Sequence, residues 1–189
     1  AFRTERAGRQ TDESLSDRIW RPFERRIAVL DRLGYIEAES EAVTPSGRWL
    51  ADVRIDRPLL IGEALREGIF DDLSPSEAAG LMASVAADSD RSYGELRSSS
   101  RMMDILVEFE DLVIATSNIE IKNGVTPAEE INFSAAATAE RWTSGMSWDE
   151  IVLRTKAEEG DLVRLLSRTG EALRQLANLG GSNAKAAGI

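Results

Sequence analysis

A chain of 189 residues with 42% hydrophobic side chains is long enough for one domain with a real core and short for two. It contains no cysteine and no histidine, which excludes disulfides, thiolate or imidazole zinc sites and histidine acid–base chemistry, and points to an intracellular, cytoplasmic protein. The net charge of -10 is unevenly laid out: residues 1–32 hold eight Lys/Arg against six Asp/Glu, residues 33–140 eight against twenty-one, and residues 141–189 seven against six, so a nucleic-acid contact must be local and positioned rather than a broad field.

No apolar run approaches the roughly 18 residues that span a bilayer, so no membrane partner is expected. The N-terminus AFRTERAGRQTDES is polar rather than signal-like, and a start at Ala1 rather than Met suggests a piece of a longer protein. Residues 1–15 are polar and without pattern, hence expected to be a flexible segment ahead of a bundle over 16–180. Ile19, Phe23, Ile27, Leu30 and Leu33 then recur at helical spacing, predicting a helix over 15–33 with Pro22 in its first turns. Short stretches at 35–38 and 49–53 flank TPSGR, predicting a small β-hairpin with TPSGR as its turn.

DRPLLIGEALREGIF (56–70) and SPSEAAGLMASVAAD (74–88) return to helical patterning, the second with Ser74 as N-cap, Pro75 at the first helical position and Glu77 completing a capping box. Residues 95–122 are the longest candidate, with Met102, Met103, Leu106, Phe109, Val113 and Ile119 or Ile121 on one stripe. A helix of about seven turns usually runs through the middle of a bundle. NFSAAATAERWTSG (132–145) ends at Gly145, SWDEIVLRT (147–155) opens on Ser147 with Glu150 three places on, and a final helix starts at Asp161 after a short turn. The tail over 181–189 is small-residue-rich and expected to fray. The fold class is all-α: a multi-helix bundle with one small β-hairpin and a long central helix.

In the last helix, Leu162, Leu165, Leu166, Thr169, Leu173 and Leu176 fall on one narrow face, and Arg164, Arg168, Glu171 and Gln175 on the other. The polar face reads either as ordinary solvated surface or as a contact line for something anionic, since an i, i+4 arginine pair lies about one turn apart. Both arginines project away from the leucine face, so replacing them with Ala is expected to leave the bundle stable to within about 0.5 kcal/mol. The carboxylate pairs Asp71–Asp72, Glu129–Glu130 and Glu158–Glu159 diverge around a helix and come with no ExxH, so they read as caps or solvated charge rather than a metal site. Without GxxxxGK[ST] the chain has no phosphate loop, and neither catalytic residue, metal nor cofactor is assigned to it. The helix–turn–helix over 147–179 opens its second helix with Glu158, Glu159 and Asp161, which argues against specific DNA. Of Trp20, Trp49, Trp142 and Trp148, packing rather than RNA stacking is the expected role, Trp142 included.

VTPSGRWLADV, then PLLIGEALREGIFDDLSPSEAAGLMASVAAD, then WTSGMSWDEIVLRTKAEEGDLVRLLSRTGEALRQL together resemble the DSHCT domain. That is the C-terminal helical bundle of exosome-type, superkiller-like DExH-box RNA helicases, with this chain closest in style to bacterial or plastid members. The resemblance runs from Trp20 to Leu179. Its most specific parts are TPSGR, the G-[IVL]-F-[ND]-[DE]-L-[ST]-P-x-[EQ]-A-A run at Gly68–Ala79, and W-x-x-G…EG-x-[LI]-[VI]-R…R-x-x-E-x-L-R-Q at Trp142–Gln175; the acidic middle and DRSYGELRSSS depart from the pattern. The resemblance implies a domain beneath two RecA-like motor domains of the same polypeptide, which bind ATP and Mg2+, and a lining for the channel that draws in single-stranded RNA. It implies RNA contacts at Arg164 and Arg168, with Gln175 further along the helix and a counterpart near Asp88 and Ser89 on a ratchet helix. The alternative is a free-standing helical regulator or interaction module built on the helix–turn–helix pair.

Overall fold

The computed structural model describes residues 10–88, 90–127 and 130–179. Ser89, one of the expected RNA contacts, lies outside the described residues, as do residues 1–9 and the tail beyond Leu179. Among the described residues there are eight helices: α1 (Gln10–Arg32), α2 (Pro45–Asp52), α3 (Pro58–Arg66), α4 (Pro75–Ala86), α5 (Ser100–Lys122), α6 (Phe133–Thr143), α7 (Trp148–Thr155) and α8 (Glu159–Leu179). One two-stranded antiparallel sheet pairs β1 (Ile36–Glu37) with β2 (Ala42–Val43), in the register Ile36 to Val43 and Glu37 to Ala42. The all-α bundle with one hairpin is the architecture. No described helix is long and apolar enough to cross a membrane.

Two local readings are corrected. α1 starts at Gln10, so Pro22 lies in its interior rather than its first turns; the polar residues before Leu15 carry no apolar stripe, and periodicity alone could not register them as helix. The hairpin does not turn at TPSGR. Its turn is Ala38–Glu41, and Thr44 instead caps α2, its hydroxyl accepting from the Gly47 N–H at 3.1 Å with Pro45 at the first helical position. Thr-Pro here is the same start signal as Ser74-Pro75. Gly47 is needed for space: a Cβ there would stand 1.9 Å from the Tyr35 carbonyl oxygen. That close approach seats α2 on the hairpin, so Trp49 goes into the core instead of a strand.

The hairpin is pinned from the other side by a polar triad in which Tyr35 and Glu63 are buried and Arg66 is at the surface. Tyr35 donates to the Glu63 carboxylate at 2.5 Å, and Arg66 donates to the same oxygen and to the Leu33 carbonyl, each at 2.9 Å. The Arg66 guanidinium also lies 5.2 Å from the Tyr35 ring centroid. Burial, then the hydrogen bond to Glu63, pushes the Tyr35 phenol well above its ordinary value.

Two apolar clusters fill the interior. One is built from α3, α4 and α5 around Ile61, Leu81, Met102, Leu106 and Phe109; the other sets Ala83 of α4 against Ala135 and Ala139 of α6, Ile151 of α7 and Leu162 and Leu165 of α8. The long helix α5 packs through one face on α1, α3 and α4, while the more enclosed element is α4, in which every residue from Ala79 to Ala86 is buried. Length argued for α5 at the centre, but small residues decide enclosure. Gly80, Ala83 and the alanines of α6 let two helices approach closely, and a Cβ on Gly80 would sit 3.1 Å from the Ala136 carbonyl oxygen.

Candidate nucleic-acid interface

α4 ends at Ala86 and Asp88 follows it, beside the first turns of α8. The capping box at the other end, with Ser74 accepting from Glu77 N–H and Glu77 accepting from Ser74 N–H, fixes where α4 begins and hence where Asp88 falls. On α8, Leu162, Leu165, Thr169 and Ala172 are buried, and the centre of the buried face is shifted toward Ala172. At 100° per residue this leaves Arg164 roughly 120° and Arg168 roughly 80° from that centre. The arginines therefore flank the core face, and from the flank they reach other elements.

Arg168 donates to Asp88 and to Asp56, each at 2.8 Å, Asp56 lying in the link between α2 and α3. Arg164 pairs with Asp161 at 3.0 Å and with Asp88 at 3.4 Å. Arg91, in the segment after α4, pairs with Asp161 and stands 3.6 Å from Asp88. Three guanidiniums thus meet three carboxylates, and the cluster is neutral. The hydrogen bond from Arg168, reinforced by the charges of Arg168, Arg164 and Arg91, holds the Asp88 carboxyl below its ordinary value. The partners in turn raise Arg168, first through Asp56.

Both arginines are ion-paired and still accessible: the side chains of Arg164 and Arg168 are 48% and 37% exposed. Sequence spacing could not reveal the pairing, because Asp56 and Asp88 lie 112 and 80 residues from Arg168. Gln175 stands two turns beyond Arg168, outside the cluster, and donates to Glu171 on its own helix at 3.3 Å. Arg91 was missed by the sequence reading; nothing in its local pattern marks it. The segment carrying it is firmly held, since the Asn132 side chain donates to the Arg91 carbonyl at 2.8 Å and Ser134 accepts from the Tyr93 N–H at 2.9 Å.

The tryptophans divide. Trp49 is buried and Trp148 packs against the second apolar cluster, as expected, whereas Trp20 and Trp142 are 57% and 42% exposed, Trp20 with its ring 5.3 Å from that of Phe23. Trp142 falls in the last turn of α6, past the alanines that meet α4. Among the described residues no group of carboxylates is arranged to hold a metal ion.

Residues 40–186 match the model of the DSHCT (NUC185) domain. The chain is 26% identical over 174 residues to the DExH-box ATP-dependent RNA helicase DExH15, chloroplastic, of Arabidopsis thaliana, covering 88% of this chain and 15% of that protein. It is 26% identical over 156 residues to the ATP-dependent RNA helicase mtr4 of Schizosaccharomyces pombe (80% and 14%), and 25% identical over 153 residues to the probable helicase HelY of Mycobacterium tuberculosis (75% and 17%). The chain spans only about a sixth of the length of these relatives. With most of its residues matched by one family, the chain belongs to the DSHCT family, a C-terminal domain of exosome-type DExH-box RNA helicases.

Proposed function

We propose that this domain grips single-stranded RNA in the channel of an ATP-dependent RNA helicase, through Arg164 and Arg168 at the Asp88 end of α4. The observation that carries the reading is the cluster itself: in an acidic chain, accessible arginines of α8 converge on the end of the most enclosed helix, in a family borne by RNA helicases. Guanidinium groups pair with phosphate through two donors and stack on unpaired bases, which gives grip without sequence preference. Such grip suits a strand that must move. ATP and Mg2+ belong in this reading to RecA-like motor domains of the same polypeptide, and the domain contributes hold rather than chemistry. The acidic first turn of α8, Glu159 and Asp161, disfavours the use of α7 and α8 as a DNA-reading pair.

Binding of a labelled oligo(U) strand, followed by fluorescence anisotropy across a salt titration, tests this. Replacing both arginines (R164A/R168A) is expected to lose about 2 kcal/mol of affinity, roughly 30-fold, and to flatten the salt dependence that phosphate contacts create. In the intact helicase the same pair of changes should lower unwinding while basal ATP hydrolysis continues. An oligo(U) affinity equal to wild type at every salt concentration would leave the arginines a structural role only.

A further inference from the structure

The segment that begins at the Asp88 cluster carries Arg97 to the end of α6, where two consecutive α6 residues hold it. The Glu140 carboxylate accepts from the Ser99 N–H at 3.0 and 3.3 Å, and Arg141 donates through Nε and Nη2 to the Arg97 carbonyl at 2.9 and 2.7 Å. α6 then closes on Gly145, whose φ of 101° only glycine adopts readily. The Gly145 N–H donates to the Trp142 carbonyl and the Met146 N–H to the Arg141 carbonyl, each at 3.0 Å, which folds Met146 back beside Arg141. An open cleft of about 440 Å³ results, lined by Glu95, Leu96, Arg97, Arg141, Met146 and Arg154.

Its chemistry differs from that of the Asp88 cluster. Arg154 pairs with Glu150 at 2.6 Å and the Glu140 carboxylate is taken up by the Ser99 N–H, but Arg97 has no carboxylate partner among the described residues, and the lining itself carries three guanidiniums against the one carboxylate of Glu95. The lining is basic in a chain of net charge -10. Leu96 and Met146 lean on the second apolar cluster and give the cleft an apolar floor. The positive end of α5 begins just beyond, at Ser99, and the α6 carbonyls of Glu140, Arg141 and Trp142 are occupied by the N–H groups of Ser144, Met146 and Gly145.

We propose that this cleft is a second phosphodiester-binding subsite, taking a phosphate on the arginines and the adjoining sugar or base on Leu96 and Met146. The proposal rests on the strand-gripping reading above. Arg91 of the first cluster and Arg97 of the second are joined by a segment that reaches at most about 20 Å when extended, so a strand of a few nucleotides meets both. Arg141 serves chiefly to fix the segment; Arg97 and Arg154 supply the attraction.

The experiment compares R97A/R154A with R164A/R168A in oligo(U) binding by the same chain, together with titration of inorganic pyrophosphate followed on the arginine Nε–H signals by NMR. Expected are a loss of about fivefold to tenfold for R97A/R154A with a reduced salt slope, an unchanged melting temperature, and a saturable pyrophosphate shift at Arg97 and Arg141 that R97A/R154A abolishes for Arg141. Unchanged oligo(U) affinity in R97A/R154A beside a loss in R164A/R168A would overturn the subsite and leave the strand-gripping reading standing. A loss in R97A/R154A alone supports the subsite and sinks that reading. Absence of oligo(U) binding by the wild-type chain overturns both, and a polyglutamate peptide that fills the cleft at lower concentration than oligo(U) overturns the proposal in favour of an acidic protein partner.

Discussion

Arg168 bridges the link before α3 and the end of α4, so its side chain has a structural duty as well as any duty to RNA. Removing it strips Asp56 and Asp88 of their shared partner, yet each group is at least a third exposed or close to it, and water screens the charges left behind. Arg168→Ala should therefore cost about 1 kcal/mol in urea unfolding, more than the near-neutral substitution a plain surface site would allow. The Asp88 carboxyl is depressed in the folded state, so the stability it contributes is present above the unfolded carboxylate value and lost as pH falls through the lower folded one. The gap between wild type and Arg168→Ala should accordingly begin to narrow near about pH 4 and close as pH falls through the lower folded value; a gap that persists below that would mean the effect is packing, not pairing. Asp88→Asn keeps an acceptor but drops the charge that competes with phosphate. Oligo(U) affinity should rise severalfold, and a fall instead would make Asp88 itself a ligand of the strand.

At the scale of elements, the start of α4 is the best-specified local structure, with a Ser74 cap, Pro75 and a reciprocal Glu77 contact that lowers the Glu77 carboxyl chiefly through its bonds to Ser74. Ser74→Ala should cost about 1 kcal/mol, measured by urea denaturation, and a change indistinguishable from zero would show that packing alone sets the helix start. Such caps are legible in sequence because they need residues only three positions apart. Ser74, Ser147 and the stop at Gly145 are legible for that reason, and so is the apolar stripe of α8. Thr44-Pro45 carried the same signal but was outweighed by the turn-like PSG, whose glycine answers to the Tyr35 carbonyl, a contact made by folding. The site divides the same way. The arginines of α8 are visible from helical spacing, whereas their partners Asp56 and Asp88, the entry of Arg91, and the meeting of Arg97 with Arg141 depend on how distant segments are laid together.

At the scale of the whole molecule, α4 belongs to both apolar clusters: Leu81, Met82 and Val85 face the one shared with α3 and α5, and Ala83 the one shared with α6, α7 and α8. Neither cluster can lose its packing without exposing a helix the other depends on, so the two should melt together. The tryptophans offer a test, because Trp49 is buried at the hairpin side, on α2, and Trp148 packs on α7 against the second cluster. With the exposed Trp20 and Trp142 replaced by Phe, each remaining indole can be followed separately by a further Phe substitution at the other. Urea transitions read from Trp49, from Trp148 and from helical circular dichroism should share one midpoint and one slope. Midpoints that separate would show the α2–α3 side and the α6–α8 side unfolding independently. A coupled α4 would hold Asp88 in place for as long as the domain is folded, which is what a grip under the pull of a motor requires.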